Sequence, residues 1–165
     1  MQIPSFSTDL IIIAVILVVL VYGMIAGQVS LIRETISIYV GIVLASTFGE
    51  PLLEFSKSTG GENLPINLMM VKLTLLILPV LILQFAHHKA HGREHASIII
   101  TMVLAVLAGM LFVSSIIDQL DGPLFDQVMS ESNLAAQIYN LKLAWLGLVP
   151  VAIAASAIFK PKQKH

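Results

Sequence analysis

Apolar residues in this chain come in long runs rather than in alternating or one-faced patterns. No charged side chain occurs from residue 10 to 32, and residues 10–20 are an unbroken aliphatic stretch. A bilayer core about 30 Å thick is crossed by about 20 apolar helical residues, so this run can span alone. A second run at 30–48 carries Arg33 and Glu34 near its start. A third, at 64–86, contains Lys72 and Pro79; a fourth, at 96–117, is free of charge; a fifth, at 141–159, begins beside Lys142 and has Pro150 near its middle. The expectation is an all-α, polytopic membrane helical bundle with five transmembrane helices, at about 10–28, 30–48, 64–86, 96–117 and 141–159.

Strands do not account for these runs. They lack the in–out alternation of a membrane barrel and are about twice the length of a barrel strand. In lipid an isolated backbone must satisfy its own hydrogen bonds, which selects helix despite the many Val and Ile residues. Composition agrees: of 165 residues 57% are hydrophobic and 12% charged, against roughly 25% charged in soluble domains. A soluble enzyme, a disordered tail and a coiled coil are excluded. With no Cys, disulfides, thiolate metal sites and cysteine nucleophiles drop out. One transmembrane domain over 1–165 is expected, with a short extracytoplasmic segment at 118–140 holding a surface helix over 124–139.

The placement of charge gives orientation. Glu50, Glu54, Lys57 and Glu62 lie between spans two and three, and Asp118, Asp121, Asp126 and Glu131 between four and five. Lys89 and Arg93 follow span three, and Lys160, Lys162 and Lys164 form the tail. Basic residues stay on the cytoplasmic side. Arg33, the Lys89/Arg93 loop and the tail are therefore expected inside and the N-terminus outside, an N-out/C-in protein. The first span has nothing basic before it and no small-x-small site after it, so it reads as a permanent helix rather than a signal peptide.

Four constellations carry candidate chemistry. Gly23 and Gly27 form GxxxG, continued by Ser30, Ser37, Gly41 and Ala45, and Ala105 and Gly109 repeat the spacing in span four. Small residues let helix backbones approach closely in lipid, either within this chain or toward a partner helix. In a continuous helix Glu34 lies on the same stripe, and Arg33 about 100° away. A carboxylate facing acyl chains is costly, so Glu34 faces protein, water or a basic partner, or lies wet at the interface, while Arg33 reaches toward headgroups. Lys72 lies about 12 Å into a helix starting at residue 64, and reads either as an anchor to the interface or as a point on a polar route. His87, His91 and His95 are spaced i, i+4, i+8; they are weak candidates for metal, and a pH-sensitive headgroup-binding loop is the default reading. No cofactor is implied. Phosphate-binding, dinucleotide, nucleophile-elbow and HExxH patterns are all missing, and basic residues do not interleave with aromatics as in nucleic-acid binders. No catalytic residue is nominated.

The N-terminal quarter nevertheless has a pattern. Asp9 precedes an aliphatic span leading to Gly-Met-Ile-Ala-Gly at 23–27, Arg-Glu-Thr-Ile-Ser at 33–37 and Ile-Tyr-Val-Gly-Ile-Val-Leu-Ala at 38–45. This resembles the colicin V production protein (CvpA-like) family, with matching positions at Asp9, Gly23, Gly27, Arg33, Glu34, Ser37, Gly41 and Ala45. The likeness covers about 40 residues well and extends loosely through spans three and four. The family usually has Arg or Lys close behind the second glycine, where this chain has Gln28 and Ser30, and commonly has four spans rather than five. The resemblance implies a bacterial cytoplasmic (inner) membrane protein linked to envelope maintenance or toxin/peptide export, with no established catalytic activity. The expected function is a non-enzymatic multi-pass scaffold or accessory. Its expected partners are the lipid bilayer, other membrane or envelope proteins or a second copy, and no nucleic acid. The alternative is a small transporter or channel subunit with a polar route near Lys72 and Glu34.

Overall fold

The computed structural model describes residues 7–60, 67–86 and 98–158. All regular structure among them is helical, in the order α1 (Thr8–Ala26), α2 (Gln28–Gly60), α3 (Leu68–Ala86), α4 (Ile98–Ile117), α5 (Gly122–Glu131), α6 (Asn133–Asn140) and α7 (Lys142–Ile158). Of these, α1, α2, α3 and α4 are each long and apolar enough to cross a membrane, and α6 with α7 forms a fifth candidate bent by 63°. The first four expected spans thus correspond to continuous helices; the fifth, at 141–159, coincides with α7, which is long and apolar enough only when taken together with α6 across the bend.

One residue joins α1 to α2. Gly27 has φ 85° and ψ 169°, a backbone region essentially confined to glycine. Its N–H still closes on the Gly23 carbonyl at 3.0 Å, and its own carbonyl accepts from Leu31 N at 3.1 Å. The helical register is therefore broken between Gly23 and Ser30. Gly27, grouped by spacing with Gly23 and Ser30, is a turn residue, so the stripe that a continuous helix would carry is interrupted there.

The second helix is also longer than expected. It does not stop at 48 but continues to Gly60 through Pro51, so Glu50, Glu54 and Lys57 are helical rather than in a loop. At 1.5 Å per residue its 33 residues measure about 50 Å, well beyond a ~30 Å hydrocarbon core. Hydropathy marks where lipid ends, not where a helix ends, and the last three turns carry the helix past that level. The described part of the third span starts later than residue 64: Asn67 accepts from Met70 N at 2.8 Å, a side-chain cap that sets the start of α3.

The surface helix expected over 124–139 is two helices. Ser132 adopts extended dihedrals and accepts from Ala135 N at 2.8 Å, ending α5 and capping α6. Gly122 and Pro123 open α5, where a proline missing its N–H costs nothing.

The core is organised around α4, the one candidate span with no charged residue. Half of its span is buried, against 11% for α1 and 6% for α3. It runs antiparallel to α1 and α7 and lies between them and α2, while α3 packs chiefly on α2 at the edge. Leu31, Leu104, Ala105 and Ala108 form one buried cluster near the Gly27 turn. Ile38, Leu111 and Val149 form another at mid-height. Ile12, Val113, Ile117, Ala135 and Ile138 form a third beneath α6. Helices α1 and α2 splay from Gly27, and α4 fills the wedge between them.

Candidate functional site

Polar side chains collect at the end of the bundle where α1 begins, α4 finishes and α7 begins. The Ser132 hydroxyl donates to Asp9 Oδ1, and Thr8 Oγ1 donates to Glu131 Oε2 at 3.3 Å. The other Glu131 oxygen accepts from Gln127 Nε2 at 2.9 Å. Lys142 Nζ sits 2.6 Å from Asp118 Oδ1 and 4.6 Å from the centroid of the Tyr139 ring, which in turn meets Phe125 edge-on at 5.0 Å. The first turn of α1 is thereby tied to the α5–α6 junction, and the end of α4 to the start of α7. Ala135 and Ile138, 0% and 2% exposed, press into the apolar cluster below, so α6 lies over this end of the bundle as a cap.

Deeper in the bundle the polar groups close on backbone carbonyls. A proline at position i cannot donate to the carbonyl of i−4, so Pro150 leaves the Leu146 carbonyl unclaimed by the helix. The Tyr39 hydroxyl of α2 donates to that carbonyl at 2.7 Å. At the bend between α6 and α7, Trp145 Nε1 donates to the Ile138 carbonyl at 2.9 Å, one of the terminal acceptors that a helix end leaves over. Thr35 bonds Leu31 O at 2.7 Å, Ser37 bonds Arg33 O at 3.0 Å, and Ser114 and Ser115 both return to Leu111 O. Each hydroxyl satisfies itself on its own helix, a common solution in lipid.

The residues singled out from sequence fall into distinct places. A methyl on Gly23 would lie 3.2 Å from the Ala105 Cβ, and one on Gly109 would lie 3.4 Å from the Ile16 Cα, so both pairs set the α1–α4 approach. Gly41 faces the Leu76 backbone so closely that a Cβ would overlap its carbonyl oxygen and lie 3.0 Å from its Cα. Ser37 and Ala45 are buried on the same helix, and Ser30 and Arg33 are half-buried. Glu34 accepts from the Tyr22 hydroxyl at 3.3 Å, bridging the two arms of the Gly27 turn. The Lys72 stem packs across Gly49, its Cγ 2.7 Å from where a glycine Cβ would be. His87, His91 and His95 lie outside the described residues, and among the described residues no group of three His, Cys, Asp or Glu could hold a metal ion.

Lys72 and Glu34 are not brought together. From the Gly41–Leu76 crossing, Glu34 lies seven residues toward one end of the bundle and Lys72 four residues toward the other, about 16 Å apart along the axis. The close approach of Gly41 to the Leu76 backbone stands between them. Sequence reasoning missed the Ser132 cap, the Asp118–Lys142 pair, Gly49 and the Tyr39–Leu146 bond. Ser132 was detectable, because a serine just before a short apolar repeat is a cap signal; the others join residues far apart in sequence. The small residues close the bundle on itself, the charges lie toward its ends, and the spans leave broad apolar surface outward. No protein-family model matches the chain, and no curated protein or solved structure is significantly similar to it.

Proposed function

We propose that this chain is a non-enzymatic, multi-pass scaffold of the CvpA-like kind, resident in a bacterial cytoplasmic membrane and serving envelope maintenance or peptide export. The observation that carries the reading is the Gly41–Leu76 crossing between Lys72 and Glu34. A conduit needs polar groups that communicate along its length; here the mid-bundle hydroxyls are turned back on carbonyls. The small-residue stripes serve internal packing, so a partner has to meet a different surface. The outer face of α3, with Ile77, Leu78, Leu81, Ile82 and Phe85 exposed, belongs to the least buried of the four single-helix spans.

Purified protein in liposomes tests this directly. The scaffold reading expects ion and solute flux equal to empty vesicles, together with a discrete crosslinked partner from a photoreactive residue at Leu81 and none from Ile25. Saturable flux abolished by Lys72→Leu would overturn it.

A further inference from the structure

One exposed face of α2 changes character along its length. Ile36, Val40, Val43, Thr47, Glu50 and Glu54 follow one another at alternating steps of four and three residues, so they line one side of the helix, and all of them are exposed. The first three are apolar and the last two are carboxylates. A carboxylate on that side belongs in water or among headgroups, not in hydrocarbon. Where α2 crosses a membrane, the hydrocarbon therefore ends between Val43 and Glu50. The count from the other end agrees: α2 starts at Gln28, and from there to Thr47 is about 30 Å of helix, one core thickness.

Lys72 delivers its charge to that level. From the Gly41–Leu76 crossing, Lys72 lies four residues along α3 and Gly49 eight along α2, about 6 and 12 Å toward the same end of the bundle. Side chains lean toward the N-terminus of their helix, which for α3 is that end. The Lys72 stem lies over Gly49, its Cγ, Cδ and Cε 2.7, 3.5 and 3.1 Å from where a Cβ would stand. The ammonium is one bond of about 1.5 Å past Cε, within about 5 Å of that point. Gly49 is buried, and its missing side chain is the slot that holds the stem. Glu50 is one position on but about 100° around the helix. Among the described residues Lys72 has no hydrogen bond or ion pair.

We propose that the Lys72 ammonium binds a phosphate oxygen of a phospholipid headgroup, in the leaflet at the Asp9 end of the bundle. Phospholipids carry their phosphate just outside the hydrocarbon, at the depth Gly49 marks, and an ammonium on a phosphate oxygen makes a charge-assisted hydrogen bond. Such a site requires that α2 and α3 cross a bilayer, whatever the protein does there.

Acetylation of the full chain by a water-soluble ester in lipid nanodiscs, read lysine by lysine from peptide masses, tests the proposal. Phosphatidylcholine is compared with digalactosyldiacylglycerol of the same acyl chains: neither has net charge, and only the first carries phosphate. Lys72 should react about fivefold more slowly in phosphatidylcholine, while exposed Lys57 reacts alike in both. Gly49→Ala puts a methyl where the stem lies and should bring the Lys72 ratio toward one. Equal wild-type rates for Lys72 in the two lipids overturn the proposal, and a ratio unchanged in Gly49→Ala overturns the slot. Inorganic phosphate added to the galactolipid discs should change nothing; if it slows Lys72 as phosphatidylcholine does, the site takes a free anion and the lipid assignment falls. The lipid comparison is made on the wild-type chain and stands even where Gly49→Ala does not fold.

Discussion

The Tyr39 hydroxyl donates at 2.7 Å to the carbonyl of Leu146, the residue four positions before Pro150. Neither α2 nor α7 explains this bond alone. The proline has no N–H to give this carbonyl, and an aromatic hydroxyl from a helix 107 residues away in sequence takes its place. Tyr39→Phe should destabilise the folded protein by about 1 kcal/mol, within the range for interhelical hydrogen bonds in membranes. In a Pro150→Ala background, where residue 150 regains an N–H, the same change should cost markedly less. Unfolding of the four proteins by denaturing detergent gives the coupling; equal losses in both backgrounds would refute the replacement argument.

The glycines should respond in three different ways. Gly41→Ala places a methyl against the Leu76 backbone, which cannot yield as a side chain can, and should cost about 1–3 kcal/mol by overpacking. Gly27→Ala meets no atom within 4 Å, yet should cost a similar amount, about 1–3 kcal/mol, because of its dihedrals alone. Gly147→Ala, with open space around it and helical geometry, should stabilise α7 by up to about 1 kcal/mol. The same detergent titration ranks all three.

These contrasts show what the sequence could reveal. The existence of the spans was legible because it depends on the run of residues 10–20 and the charge-free stretch 96–117, which are local. The extension of α2 past Pro51 was not, since charge and proline together imitate a helix end. Gly23 and Gly27 looked equivalent as a GxxxG pair, but only Gly23 packs against a helix. The difference lies in a backbone angle that spacing does not encode. Asp9 stood in the family-like pattern without a role, because its partner Ser132 is 123 residues away.

Ser132 is fully buried and serves two bonds at once, accepting from Ala135 N and donating to Asp9. Ser132→Ala removes both the cap of α6 and the tie to α1, and should destabilise the α5–α6 cap by about 1–2 kcal/mol. Hydrogen exchange followed by peptide mass should show α6 amides exchanging faster while α4 amides at mid-height are unchanged. Asp9→Ala should reproduce part of the effect, because it leaves the cap bond intact. Lys142→Gln should do little by comparison: the Asp118–Lys142 pair is about two-fifths exposed, and exposed pairs contribute about 0–1 kcal/mol.

The threading of the chain gives the last prediction. The Asp9–Ser132 and Thr8–Glu131 bonds hold the beginning of α1 and the α5–α6 cap at one end of the bundle. Ile99 and Ala155, which line one shallow groove, place the start of α4 and the end of α7 together at the other. Lys89 and Arg93 precede α4, and Lys160, Lys162 and Lys164 follow α7, so the basic residues of two separate segments leave from one end. By the positive-inside rule that end is expected in the cytoplasm. Paired phosphatase and fluorescent-protein fusions should report positions 91 and 165 as cytoplasmic and position 126 as external. Opposite faces for 91 and 165 would mean that α6 and α7 together re-enter rather than cross, and the odd number of crossings would fall with them.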